Sequence, residues 1–400
     1  NSSSFLQIQS KTPMKLAYVT AYDASKLQGG NEWSGSGYYI AQALKHQGIP
    51  LDYIGPLSEP FGINGIHKAK RLYYKLVERK RYHSDANPSL LKSAAEQISK
   101  KLAQSQTKLD IVFSATVNPI AYLECRQPIV FWGDATCAGL IDFYPQYDNL
   151  CQESLDNWHM MEKLALEKCR LAIYASDWAA QTAIEYYDAD PNKVKVIPFG
   201  ANIDRLSTFD EIKELIKARP AHQCKLLFLG VDWYRKGGDI ALKVAEELNN
   251  LGLDTELTIV GCQPIIEGTI PSFVKSLGYI NKSSSGGKDK IERLIAESHF
   301  LIVPSKAECY GVVFCEANSL GVPCLSTKVG GIPSIIKSNI NGQLFDPEHY
   351  VAECCNYIIN LFATERDYQN LALSAFHEYE SRLNWTVAGQ RVKELLETIC

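Results

Sequence analysis

What most constrains this chain is an end-to-end alternation of short apolar runs with longer helical stretches. The runs MKLAYVT (14–20), LDYIG (51–55), LDIVFSA (109–115), QPIVFWGD (127–134), CRLAIYAS (169–176) and KVKVIPFGANID (193–204) read as buried strands, being brief, apolar and rich in β-formers. Helical stretches separate them: YYIAQALKHQG, stopped at Gly48, then 66–82, 88–105, 154–168 and WAAQTAIEYY (178–187). Strand, loop, helix and strand in that order favour a parallel sheet with right-handed crossovers.

After a polar connector at 205–222 the rhythm restarts. Its strands are KLLFLG (225–230), TELTIVG (255–261), SLGYI (276–280), HFLIVPS (299–305), GVPCLST (321–327) and GQLFD (342–346). A periodic helix at 237–252 and a helical tail over 347–399 complete the second series. The expected architecture is α/β, with two Rossmann-like domains, 14–204 and 205–382, facing an interdomain cleft. Ligands of open parallel sheets bind beyond the carboxyl ends of strands, so both crevices would open onto that cleft. Strand order is not contained in the pattern.

Composition works by exclusion. A chain of 400 residues with 46% hydrophobic and 22% charged residues can bury a real core. Its formal net charge of -4 provides no overall field toward nucleic acid. The 12 cysteines form no C-x-x-C pair, and no His cluster stands at zinc-finger spacing. Reduced, buried thiols in a cytoplasmic protein are expected, with no metal. No stretch approaches the ~20 apolar residues of a membrane span. The opening NSSSFLQIQSKTP lacks the layout of a secretory signal and reads as a short disordered lead-in.

The chemistry concentrates in VPSKAECYGVVFCEANSLGVPCLSTKVGGIPSII (303–336). A strand ends at Pro304, a loop carries Glu308, and a helix begins near Val312 and holds Glu316. The residues Cys309, Tyr310, Gly311 and Val312 would offer backbone N–H groups at that helix start, a ready anion site that Gly311 lets a ligand approach closely. The flanking carboxylates suit hydroxyl groups, because an ionised carboxylate only accepts hydrogen bonds. A phosphate flanked by hydroxyl-rich groups describes a nucleotide sugar. The alternative for the pair is two solvated glutamates on a loop and a helix.

Here the chain resembles the retaining glycosyltransferases of family four (glycosyl transferases group 1, GT-B fold), whose E-x7-E motif reads Glu308-CYGVVFC-Glu316. The resemblance runs from about 14 to 399. It implies that Glu316 holds the ribose hydroxyls, that Glu308 lies by the transferred sugar, and that amides from Cys309 to Val312 meet the sugar and diphosphate. It also implies a last helix, 383–399, crossing back to the first domain, and a contact of Tyr279 or Ile280 with the base. In FLGVDWYRKGGD (228–239), Lys236 matches the family's lysine on the donor diphosphate. Arg235 stands in for an arginine that more often follows the strand directly, where this chain has Val231. Both could instead be an exposed charged turn. Two such cations could stabilise a leaving diphosphate without a metal.

The loop QGGNEWSGSGYY puts Gly35 and Gly37 between the first strand and helix, where the family's backbone nears the diphosphate; a plain flexible turn is the alternative. Asp134 stands where many relatives carry a sugar-contacting histidine, and could equally be a helix N-cap. Phe143, Tyr144 and Tyr147 either shape an acceptor pocket or pack in the core. Two other segments carry less weight. Asp188-Ala189-Asp190 reads as a helix-to-strand turn rather than a metal-binding D-x-D, and SSSGGKD (283–289) as a solvent loop before a helix.

The expected activity is retaining transfer of a sugar from a nucleotide diphosphate to a hydroxyl on a glycan, lipid or small molecule, with no cofactor. The alternatives are an epimerase or a sugar-phosphate or disaccharide synthase on the same fold, and a non-catalytic nucleotide-sugar-binding protein. The basic stretch KAKRLYYKLVERKRYH (68–83) reads either as a solvated helix with an aromatic face or as a peripheral membrane contact.

Overall fold

A computed structural model describes residues 14–27, 35–203, 207–282, 284 and 286–399. The expected lead-in before Met14 and most of the loop at 27–37 lie outside the described residues. The described residues form twelve strands, in two six-stranded parallel sheets. The first holds β1 (Leu16–Val19), β2 (Leu51–Ile54), β3 (Ile111–Ser114), β4 (Ile129–Gly133), β5 (Leu171–Tyr174) and β6 (Val194–Val196), ordered β2-β1-β3-β4-β5-β6. The second holds β7 (Cys224–Leu229), β8 (Thr255–Val260), β9 (Val274–Ser276), β10 (Phe300–Ile302), β11 (Cys324–Thr327) and β12 (Gly342–Phe345), ordered β12-β11-β10-β7-β8-β9. Central strands such as β1, β3 and β4 are buried along their whole length. Helices cover both faces, so unbroken apolar runs rather than alternating ones are what these strands need.

Several boundaries differ from the sequence reading, and the strand expected over 193–204 is only Val194–Val196. The strand expected at SLGYI lies earlier, at Val274–Ser276, because Gly278 turns the chain with φ of 64° and leaves Tyr279 exposed. The tail is three helices, Tyr350–Phe362, Glu365–Arg382 and Trp385–Glu397. The stretch at 66–82 is a helix, Ile63–Tyr73, continued by a π-helical turn, Tyr74–Glu78.

The last helix lies on the first domain. Gly389 packs against Ala43, and the Lys393 ammonium donates to the Gln47 carbonyl at 3.0 Å. Trp385 at its start stacks near Tyr39 and donates its indole N–H to Asn202. The eleven described cysteines are all free thiols, nine of them buried.

Candidate functional site

In each sheet the strand order reverses at one place, between β1 and β3 in the first and between β7 and β10 in the second. Ligands of such sheets bind at that switch point, beyond the strand ends. The loops leaving all four strands line one cleft of about 820 Å³, within the range of small-molecule sites. The second sheet sends Arg235 and Lys236 after β7 and the loop of Glu308 after β10. The cleft gathers Glu308, Glu316, Cys309, Tyr310, Gly311, Val312, Lys236, Arg235, Ile280, Gly35 and Asp134.

Gly37 is the member of the expected set that does not line it. It sits inside the helix Ser36–His46, where its carbonyl accepts from the Tyr18 hydroxyl at 2.6 Å and a Cβ would meet the Tyr22 hydroxyl at 2.0 Å. Close packing accounts for this glycine. Arg235 and Lys236 are not an exposed turn either, since both face the cleft.

The Glu308 loop is clamped from below. A Cβ on Gly330 would lie 2.0 Å from the Glu308 carbonyl, and one on Gly331 the same distance from that of Cys309. Only glycines let the two backbones approach so closely, and the Gly331 amide donates to the Glu308 carbonyl at 3.1 Å. Gly311 then enters the helix Val312–Asn318 with φ of 96°, a left-handed turn that suits glycine. The Tyr310 hydroxyl donates to the Phe199 carbonyl of the first domain at 2.8 Å.

Both glutamates are buried and both are ion-paired, so neither is a solvated surface group. Lys236 pairs with Glu308, their side chains 12% and 9% exposed. Lys282 donates to both Glu316 oxygens, at 2.8 and 2.7 Å. Arg235 donates to the Ala307 carbonyl at 3.0 Å, and its guanidinium lies 4.8 Å from the Tyr144 ring centroid.

Tyr144 crosses from the first domain to the heart of this loop. Its hydroxyl accepts the Cys309 amide at 3.0 Å and lies 3.5 Å from Glu308 Oε1. Burial first, then the nearby Glu308 charge, holds the phenol far above its ordinary range, so it stays a neutral hydroxyl. Asp134 is not a helix cap: Thr136 takes that role, accepting from Gly139 N at 3.1 Å. Asp134 faces the Cys309 thiol closely enough to raise it, after burial. Phe143 packs on Trp178 outside the lining, whereas Tyr147 lines the cleft.

Sequence reading passed over three residues. Lys282 lies just past Ile280, between the strand expected at 276–280 and the loop read at 283–289. Lys288 bridges the domains, donating to the Tyr39 hydroxyl at 2.9 Å. Glu162, 1% exposed, accepts from the Cys137 amide at 3.2 Å and the Tyr174 hydroxyl at 3.1 Å, and so holds the chain just after Asp134. Only tertiary contact reveals these roles; a glutamate within a helix gives no local signal of its burial.

Burial pushes the Glu162 carboxyl up to about 7, against the pull of its hydrogen bonds. The folded protein therefore binds this proton more tightly than the unfolded chain. The resulting stability is complete below the ordinary carboxyl range near 4.5 and is lost as pH rises through about 7. The loss amounts to about 3 kcal/mol. Denaturant unfolding between pH 5 and 8 should show wild type weakening and Glu162→Gln flat; equal slopes would contradict this.

The fold places the chain among GT-B proteins. Sucrose-phosphate synthase from Thermosynechococcus elongatus superposes with a TM-score of 0.67 at 15% identity, over 96% of this chain and 98% of that one. Anabaena HepE in complex with UDP and glucose gives 0.61 at 17%, over 96% and 100%. The second half points to a family: residues 211–377 match the model of glycosyl transferases group 1.

A D-inositol 3-phosphate glycosyltransferase of Nocardioides is 25% identical over 46% of this chain and 44% of its own length. The N-acetyl-alpha-D-glucosaminyl L-malate synthase of Bacillus anthracis is 38% identical over 23% and 24%. The matched region thus spans less than half the length of these relatives. No helix among the described residues is long and apolar enough to cross a membrane.

Proposed function

We propose that this protein is a retaining glycosyltransferase that moves a sugar from a nucleoside diphosphate to an acceptor hydroxyl. The observation that carries the reading is the convergence of Lys236, Arg235, Glu308 and Glu316 at the switch point of the second sheet, facing Asp134 of the first. Glu316 is suited to accept from the ribose hydroxyls, and Glu308 from hydroxyls of the transferred sugar. The amides of Cys309 to Val312 and the Lys236 ammonium would receive the diphosphate. Ile280 borders the base.

In the reaction the bond from the anomeric carbon to the phosphate oxygen breaks, and the acceptor oxygen bonds that carbon on the same face. The acceptor's proton passes to the departing phosphate oxygen. Lys236 and Arg235, rather than a metal, balance the charge developing there. Asp134 orients the sugar or acceptor from the opposite wall. The test is incubation with UDP-, GDP- and ADP-sugars and proton NMR of the sugar released or transferred. Turnover of one donor with the anomeric configuration kept supports the reading; no turnover of any by folded protein, with or without added hydroxyl acceptors, contradicts it.

Tyr144 gives a sharper prediction within the same reading. Its hydroxyl occupies the Cys309 amide, one of the donors proposed for the ligand. Tyr144→Phe should therefore bind donor about five-fold more tightly, the worth of one hydrogen bond that need no longer be broken. Weaker binding, measured by calorimetry, would show that the hydroxyl holds the donor instead.

A further inference from the structure

Six large apolar side chains within 17 residues stand more than half exposed: Phe61, Ile66, Leu72, Tyr73, Leu76 and Val77. The helix Ile63–Tyr73 turns Ile63 and His67 inward, so the stripe of Ile66, Leu72 and Tyr73 faces away from the core. The π-helical turn carries Leu76 and Val77 onward and buries none of its residues. Exposed large apolar side chains gathered on one short segment, rather than scattered singly, mark an interaction site. Beside it stand Lys68, Arg71, Lys75, Arg79 and Lys80, all exposed, with Glu78 the one acid between 66 and 83. A chain of net charge -4 has gathered a basic cluster around an apolar stripe.

We propose that residues 61–81 dock the protein on an anionic lipid bilayer, the apolar side chains entering the headgroup boundary and the lysines and arginines meeting lipid phosphates. Protein interfaces deplete lysine and bury fitted apolar cores, whereas here lysines flank side chains that project from a helix. The inward side is firmly tied. Lys70 pairs with Glu153 at 2.5 Å, Tyr74 donates to the same carboxylate at 2.9 Å, and His67 meets the Tyr82 hydroxyl at 3.0 Å.

The segment's end is strapped to a wall of the cleft. The Arg81 amide donates to the Asn149 carbonyl at 2.9 Å and the Cys151 amide to that of Arg81 at 2.8 Å. His83 meets the Gln146 carbonyl at 3.2 Å, and Tyr144, Gln146 and Tyr147 line the cleft. Docking would set the first-domain wall of the cleft beside the bilayer, which fits an acceptor hydroxyl carried on a membrane amphiphile. The docking itself does not depend on the donor reading, and its test uses no nucleotide.

The experiment is sedimentation of the whole protein with vesicles of phosphatidylcholine, with and without about one third phosphatidylglycerol. Binding to the anionic vesicles only, weakened by salt, is expected. Two variants probe the two parts of the surface, Leu76→Ser with Val77→Ser, and Lys68→Glu with Arg71→Glu and Lys75→Glu. Each should weaken binding at least about ten-fold, with circular dichroism and any donor turnover in solution unchanged. Absence of binding to either vesicle, or binding that survives both variants, would overturn the proposal. So would a lipid-free dimer, seen by light scattering, that the Leu76 and Val77 changes abolish, since the surface would then serve a second copy of the chain.

Discussion

Lys236→Met is expected to slow sugar transfer at saturating donor by about 10²–10³-fold, the usual cost of removing one preorganised charge partner of a transition state. Charge grows on the departing diphosphate as the anomeric bond breaks, and Lys236, its side chain 12% exposed, is held there on Glu308. The pairing makes the variant costly to the fold as well. A nearly buried carboxylate left without its ammonium destabilises by about 3 kcal/mol. Lys236→Met combined with Glu308→Gln should recover that stability but not the rate. Single-turnover kinetics and thermal unfolding, run on both variants, separate the effects. A normal rate in folded Lys236→Met would remove the lysine from the mechanism.

Glu316→Ala should act on binding instead. Two hydrogen bonds from ribose hydroxyls to an ionised, buried acceptor are worth about 1.5–3 kcal/mol, so donor affinity should fall about 10–100-fold. The ribose keeps the same contacts in ground and transition states, which predicts a raised KM and a kcat within a few-fold of wild type. Lys282 donates to both Glu316 oxygens. Ribose must therefore share or displace that ammonium, and Lys282→Met should change affinity less than Glu316→Ala does. A fall in kcat with KM unchanged would place Glu316 at the reacting centre.

Much of this was legible in the sequence because local rules and tertiary outcome agree. Eleven of the twelve short apolar runs became strands, since a strand covered on both faces must be apolar throughout, and the twelfth strand formed just ahead of its run. The order of those strands was not legible, because it depends on which edges meet. That order decides the site by placing the loops of Lys236 and Glu308 side by side. Gly37 misled because glycine signals both open loops and tight packing, and here it packs on Tyr22. Lys282 and Glu162 gave no signal, their partners Glu316 and Tyr174 standing 34 and 12 residues away. The exposed stripe at 66–77 obeyed helical periodicity, but periodicity does not state which face meets the core.

The central claim is that the cleft takes a nucleoside diphosphate between Lys236 and Glu316. Calorimetric titration of the folded protein with UDP, GDP and ADP tests it most directly. One of the three should bind saturably at a single site, and that binding should be lost or greatly weakened in Glu316→Ala. No binding of any of them, or equal binding by wild type and Glu316→Ala, would contradict it.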